Sequence, residues 1–275
     1  MSKLIFLDVD GTLVDYHARL PESAAAAVHA ARAGGHRVLL CTGRARAEIP
    51  QVLWDLGVDG LIGANGNYIE LDGEVVLHNT LSADDEQALV DWFHARGHEF
   101  YLETNEGLFA SERFEDLALP VAARYAADHG SPAPQRVTDV FHGMVFGHPL
   151  YLADVLKISY LLGSVEDHHA CRAAFGHLQH RTWGGRGAEP LFGDVAMPGI
   201  TKAHAVDAVL DRLGLDRADT IAFGDAAVDL PMFEVCAFSV AMGNASEEVK
   251  QDADLVTGDV EHDGLADAFR RLGLI

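Results

Sequence analysis

The 275-residue chain carries 42 acidic against 20 basic side chains, a formal net charge of −22. Nucleic-acid backbones and anionic lipid surfaces need clustered Lys and Arg to dock, so neither is an expected partner. Cys41, Cys171 and Cys236 are scattered and include no CxxC pair, which excludes a disulfide framework or a zinc knuckle.

The first apolar run is too short for a signal peptide, and no window reaches the length of a membrane span; a cytoplasmic location is expected. Residues 3–9 form a β-prone run that breaks at Asp10-Gly11-Thr12, predicting a strand that feeds a loop. The Ala-rich stretch 21–33 opens on a proline suited to a first helical turn and closes at Gly34-Gly35, predicting a helix. A second buried strand over 36–41 is closed by Thr42-Gly43, followed by a helix over 46–56 and a third strand over 60–64. This alternation predicts an α/β fold, a Rossmann-like doubly wound parallel sheet. Asp72-Gly73 between 68–71 and 75–78 signals a hairpin.

The middle departs from the alternation. Helices over 82–96, 114–129 and 165–178, with strands over 99–103 and within 152–162, predict an inserted α+β domain at 81–188. The core is then 1–80 and 189–275. Its second part resumes with a helix over 201–213, strands over 220–223, 238–242 and 254–257, and a last helix over 264–272.

Asp8 and Asp10 stand two apart where the first strand ends, so both can reach one centre. A carboxylate nucleophile at Asp8 could form an acyl-phosphate, and Asp10 could protonate the leaving oxygen and then deprotonate water. Thr42 and Gly43 offer a hydroxyl and backbone N–H groups to phosphoryl oxygens. Lys202 opens an amphipathic helix as a fixed cation, and Asp225 and Asp229 end a later strand as a second carboxylate pair. Asp8, the backbone carbonyl of Asp10 and Asp225 would suit Mg²⁺, which takes oxygen ligands. Taken singly, these are ordinary turn and surface residues. Their order is the informative feature.

A DxDGT strand end, a Thr strand end, a Lys and a GDxxxD strand end, in that order, resemble the haloacid dehalogenase superfamily of phosphotransferases. Within it the chain is similar to the Cof-type sugar-phosphatase-like group with a large inserted cap. Ala64-Asn65-Gly66-Asn67, Lys157-Ile158-Ser159 and Ala241-Met242-Gly243-Asn244-Ala245 add to the likeness, which spans the whole chain. The resemblance implies Mg²⁺, an aspartyl-phosphate intermediate and small phosphorylated metabolites, sugar phosphates foremost, as substrates. It implies Asp8 as nucleophile, Asp10 as acid and base, and Thr42, Gly43 and Lys202 as phosphate binders. Asp8, Asp10 and Asp225 would hold the metal, with Asp229 and Asn244 beside them and Arg44 and Asn65 toward the substrate. One position departs: the group has Asn before the last Asp, and here it is Val228. A phosphomutase or phosphotransferase of the same superfamily, or a non-enzymatic metabolite-binding protein retaining the fold, are the alternatives.

Overall fold

A computed structural model describes residues 2–128, 130–185 and 189–275. In chain order the elements are β1 (Leu4–Leu7), α1 (Glu22–Ala33), β2 (Arg37–Cys41), α2 (Gln51–Trp54), β3 (Gly60–Gly63), β4 (Tyr68–Leu71) and β5 (Glu74–His78). Next come α3 (Ala83–Arg96), β6 (Phe100–Glu103), β7 (Leu108–Ala110), α4 (Phe114–Asp128), β8 (Met144–Val145), β9 (Lys157–Leu161), α5 (Val165–Ala174), β10 (Gln179–Trp183) and β11 (Phe192–Ala196). Then follow α6 (Lys202–Leu213), β12 (Thr220–Gly224), α7 (Leu230–Val235), β13 (Phe238–Ala241), α8 (Glu247–Gln251), β14 (Leu255–Val256) and α9 (Gly264–Arg271). The chain divides into two compact units, Met1–Arg44 with Ile49–His78 and Ile200–Ile275, and Ala45–Glu48 with Asn79–Gly199.

The first unit is an α/β doubly wound sheet in the order β14-β13-β12-β1-β2-β3-β4-β5. Neighbours are parallel from β14 through β3, and β4 and β5 add an antiparallel hairpin. Alternation along the strands sends side chains to opposite faces. Leu4 and Phe6 join Val206, Val209 and Leu210 of α6 and Met232 of α7 on one face. Phe223, the neighbour of Ala222, instead meets Phe269 of α9 at 5.1 Å between ring centroids. Both faces are therefore covered, and each such buried Leu or Phe contributes about 1.5–3 kcal/mol. Asp72 (φ 52°) and Gly73 (φ 82°) make the hairpin turn. The helix expected over 46–56 is broken, a short 3₁₀ turn at Arg46–Glu48 giving way to α2 after Pro50. Proline has no N–H to donate and disfavours helical backbone before it.

The second unit is an α+β sheet in the order β10-β11-β9-β6-β7-β8. It is antiparallel except for the β7–β8 pair. Leu89, Val90 and Phe93 of α3 and Cys171 of α5 cover one face, packing on Phe100, Ile158, Tyr160 and Val195. Phe114, Ala118 and Ala122 of α4 pack on the other, against Tyr101 and Phe192. The sequence predicts the end of this domain at 188, a residue outside the described ones, as is His129 at the expected end of α4. The unit runs on to Gly199 because β11 pairs with both β9 and β10. Among the described residues, no helix is long and apolar enough to cross a membrane.

Candidate active site

The carboxyl ends of β1, β2 and β12 and the first turn of α6 bring four of the expected residues together. Asp8 extends β1, its N–H bonding Phe223 O at 3.0 Å, and is 6 % exposed. The chain then turns sharply, with Gly11 at φ 79° bonding Val14 O at 2.8 Å. A side chain on Gly11 would collide with the Asp225 carboxylate and the Tyr16 hydroxyl. Glycine is required there both for the backbone angle and for the close approach.

Thr201 caps α6 and sets Lys202 at its first turn. The ammonium of Lys202 is fully buried and donates to Asp8 Oδ1 (2.7 Å), Asp229 Oδ1 (2.6 Å) and the Cys41 carbonyl (2.7 Å). Asp229 is fixed in turn, its Oδ2 accepting the N–H groups of Asp225 and Ala226 at 3.0 Å each. Asp225 completes the group. Its Oδ1 accepts from Thr12 Oγ1 at 3.2 Å, and its Oδ2 accepts from the Tyr16 hydroxyl. Oxygen atoms of Asp8, Asp225 and Asp229 all lie within 4.8 Å of one another, each residue buried.

Three carboxylates thus face one ammonium in a region of low dielectric, where like charges raise carboxyl pKa values. Burial, then the Asp229 charge, lifts Asp8 well above its usual range despite Lys202. The same two causes push Asp225 up to about 7, against the Tyr16 and Thr12 hydrogen bonds. Burial works against the Lys202 ammonium, but Asp229 and Asp8 keep its pKa above that of a free lysine.

The Asp10 carboxylate stands apart from this group. Arg44 grips it in a bidentate pair, Nε to Oδ2 at 2.8 Å and Nη2 to Oδ1 at 2.6 Å. Arg44, expected toward substrate, is therefore joined to the second aspartate. Thr42 is buried at the end of β2, its Oγ1 accepting from Arg44 N–H at 3.2 Å. Gly43 follows, with the Asn65 side chain against its α-carbon. Asn244 reaches the centre, its Nδ2 donating to Gly11 O at 2.8 Å and lying 3.4 Å from Asp225 Oδ2. Val228 is 36 % exposed in the turn before Asp229 and supplies no polar atom. Cys41 contributes only its carbonyl, since burial drives its thiol pKa upward.

Two contributors escaped sequence reading. Tyr16 is a lone aromatic in a polar loop, and nothing local ties it to Asp225. Asp15, 5 % exposed, shapes the same loop by accepting from His17 N–H and Arg19 N–H at 2.8 and 2.9 Å. Its signal was an aspartate before a polar turn, which is common enough to pass unremarked.

The profile of the haloacid dehalogenase-like hydrolases matches residues 5–269. YkrA of Bacillus subtilis (strain 168), which carries a provisional phosphatase name, is 30 % identical over 100 % of this chain and 99 % of its own. A crystal structure of a hypothetical protein of Geobacillus kaustophilus HTA426 superposes with a TM-score of 0.83 at 29 % identity, covering 100 % of both chains. The subclass IIB sugar phosphatase BT4131 does so with a TM-score of 0.79 at 25 % identity, again over 100 % of both. With the buried Asp–Lys–Asp group at the strand ends, these likenesses settle the family: the chain is a phosphatase of the haloacid dehalogenase-like hydrolases.

Proposed function

We propose that this phosphatase hydrolyses phosphomonoesters of small metabolites, sugar phosphates foremost, through a phosphoryl group carried on Asp8. The observation that carries the reading is Lys202 holding Asp8 Oδ1 at 2.7 Å among three converging buried carboxylates. Asp8 attacks phosphorus through its carboxylate, and the ester oxygen leaves with a proton from Asp10. Water then attacks the aspartyl-phosphate as Asp10 takes the proton back, releasing orthophosphate and free Asp8. In this reading Thr42 and the Gly43 backbone hold phosphoryl oxygens, and Lys202 offsets charge on the nucleophile and the phosphoryl group. Arg44 holds both oxygens of the Asp10 carboxylate, so Asp10 must leave that clamp before it can hand a proton to the ester oxygen.

The donor set fits Mg²⁺. It is all oxygen, it holds three carboxylates against one ammonium, and Asp225 is pushed up to about 7 by burial and Asp229, which a divalent cation would relieve. Asp8 and Asp225 would hold the ion, with the Asp10 backbone carbonyl, while Asp229 remains tied to Lys202. The ion would supply electrostatic stabilisation of charge on the phosphoryl oxygens. The structural likeness to a subclass IIB sugar phosphatase supports sugar phosphates as the first class to assay.

A phosphate-release screen over phosphorylated metabolites, with Mg²⁺ and with chelator, tests the reading. Mg²⁺-dependent release from sugar phosphates is expected. Loss of the ester only in the presence of a second sugar acceptor, with no orthophosphate released, or no reaction of any ester, overturns hydrolysis.

A further inference from the structure

After β3 the chain passes through Ala64 (φ 48°), Asn65 (φ 55°) and Gly66 (φ 107°), three successive residues with positive φ. Glycine adopts this freely and asparagine tolerates it, but alanine does not. Strained backbone of this kind persists only where its surroundings hold it. Here the holding contacts run to the two phosphate-binding elements. Ala64 N–H bonds Arg44 O at 2.8 Å, and Asn65 N–H bonds Thr42 O at 3.0 Å. Two consecutive N–H groups therefore straddle Gly43. On the other side Gly66 lies so close to α6 that a side-chain carbon on it would stand 2.7 Å from Thr201 O, one residue before Lys202. Asn67 locks the turn from within, its Nδ2 donating to Ala64 O at 2.8 Å.

The Asn65 side chain is the unexplained part. It is 5 % exposed, and its Oδ1 is buried with no hydrogen-bond partner. A β-carbon built on Gly43 would lie 3.3 Å from that oxygen and 3.5 Å from Nδ2. Asn67 Oδ1 is buried without a partner as well, so position, and not the orphaned oxygen, sets the Asn65 amide apart: it backs the α-carbon of Gly43.

We propose that Asn65 is a positioning residue for phosphoryl transfer. Its amide backs Gly43, and its left-handed turn braces the Thr42–Gly43–Arg44 loop against the helix that carries Lys202. The proposal rests on the phosphatase reading. It assigns Asn65 a role through the loop and places its side chain behind the phosphoryl group, not against the substrate's alcohol part.

Orthovanadate, which binds where the phosphoryl group does, is the probe, used on the full chain with p-nitrophenyl phosphate as reporter substrate. Asn65→Gly keeps the backbone angle free of strain while removing the amide. It is expected to raise the vanadate inhibition constant by about tenfold to a hundredfold, with kcat/KM falling in parallel and the melting temperature little changed. Gly43→Ala alone forces the loop against the amide and should also weaken vanadate. Combined with Asn65→Gly its β-carbon fills the vacated space, so the double variant should bind vanadate better than the product of the single effects allows. A folded Asn65→Gly protein with the wild-type inhibition constant overturns the proposal, as do purely multiplicative effects in the cycle. If wild type neither cleaves the reporter nor yields to vanadate, the phosphatase reading fails and takes this proposal with it.

Discussion

Lys202 in the first unit and Lys157 in the second are both buried and both hold a carboxylate, but in different settings. Lys157 sits directly opposite Glu103 in the β6–β9 register, its Nζ 3.0 Å from Oε2, while Ser159 Oγ donates to Oε1 at 2.6 Å. Asp194 lies on the neighbouring strand opposite Arg181, and both it and Glu48 add negative charge near the Lys157 ammonium. Around Lys202, three carboxylates from separate stretches of chain meet one ammonium past the strand ends. A Lys–Glu pair set directly opposite within a sheet helps to fix register. At the strand ends the carboxylates outnumber the ammonium, which on the proposed function leaves negative charge for a cation.

The sharpest way to break this contrast is Asp8→Asn. Turnover should fall by about 10⁴-fold or more, since the covalent nucleophile is lost. Because one of three crowded carboxylates becomes neutral, the melting temperature should equal or exceed that of wild type. Phosphate release and a thermal melt together decide it; a folded variant with near-normal rate removes Asp8 from the mechanism. Asp10→Asn comes next, at roughly 10² to 10⁴-fold. Its first step should suffer less with p-nitrophenol, a leaving group that needs little protonation, than with a sugar alcohol. Equal losses in burst experiments on the two leaving groups would give Asp10 another task.

A smaller effect is expected where Val228 offers no polar atom. Val228→Asn should lower the Mg²⁺ concentration for half-maximal activity by about tenfold, and Asn244→Ala should raise it, as partners beside metal ligands generally do. Unmoved midpoints in both titrations, and unmoved Mg²⁺ affinity by calorimetry, would show that neither position tunes the metal.

The second unit supplies the mildest test. Burial pushes Glu103 up to about 8 although the Lys157 ammonium beside it pulls the other way. A carboxyl raised on folding binds its proton in the folded state while the unfolded chain, near 4.5, has lost it. Its stabilising contribution is therefore complete below about 4.5 and is lost as pH rises through about 8. Between those limits wild-type stability should fall with pH relative to Glu103→Gln, with a slope approaching about 1.4 kcal/mol per unit. Urea denaturation of both proteins at a series of pH values measures it, and parallel curves would place an ionised Glu103 in the fold throughout.

Local pattern carried the strand-end residues. Asp8, Thr42, Lys202 and Asp225 each stand at a break between an apolar run and a loop or helix, which periodicity detects. What it missed depends on distant partners. Tyr16 matters through Asp225, far along the chain, and no spacing announces that pair. β10 reads Gln-His-Arg-Thr-Trp and becomes a strand through pairing with β11. β11 contains Gly193, a poor strand former, needed because the Tyr160 ring occupies the place of any side chain there. The Arg44–Asp10 clamp was equally invisible, since sequence shows two charged side chains but not which partner each selects.

The parallel pairing of β1 with β12 sets Leu4 beside Thr220 and Leu7 beside Phe223. On a ribosome adding about 5 to 20 residues per second, β1 waits on the order of 10 to 40 s for that neighbour. The nascent strand Leu-Ile-Phe-Leu has β2 along one edge in the meantime, and the other edge stays open. An apolar open edge is a template for wrong pairing. Meanwhile the continuous stretch Asn79–Gly199 emerges with nearly all of its own sheet partners. The later unit in the chain can therefore complete its sheet first, and the strand that leads into Asp8 is the segment most in need of a chaperone.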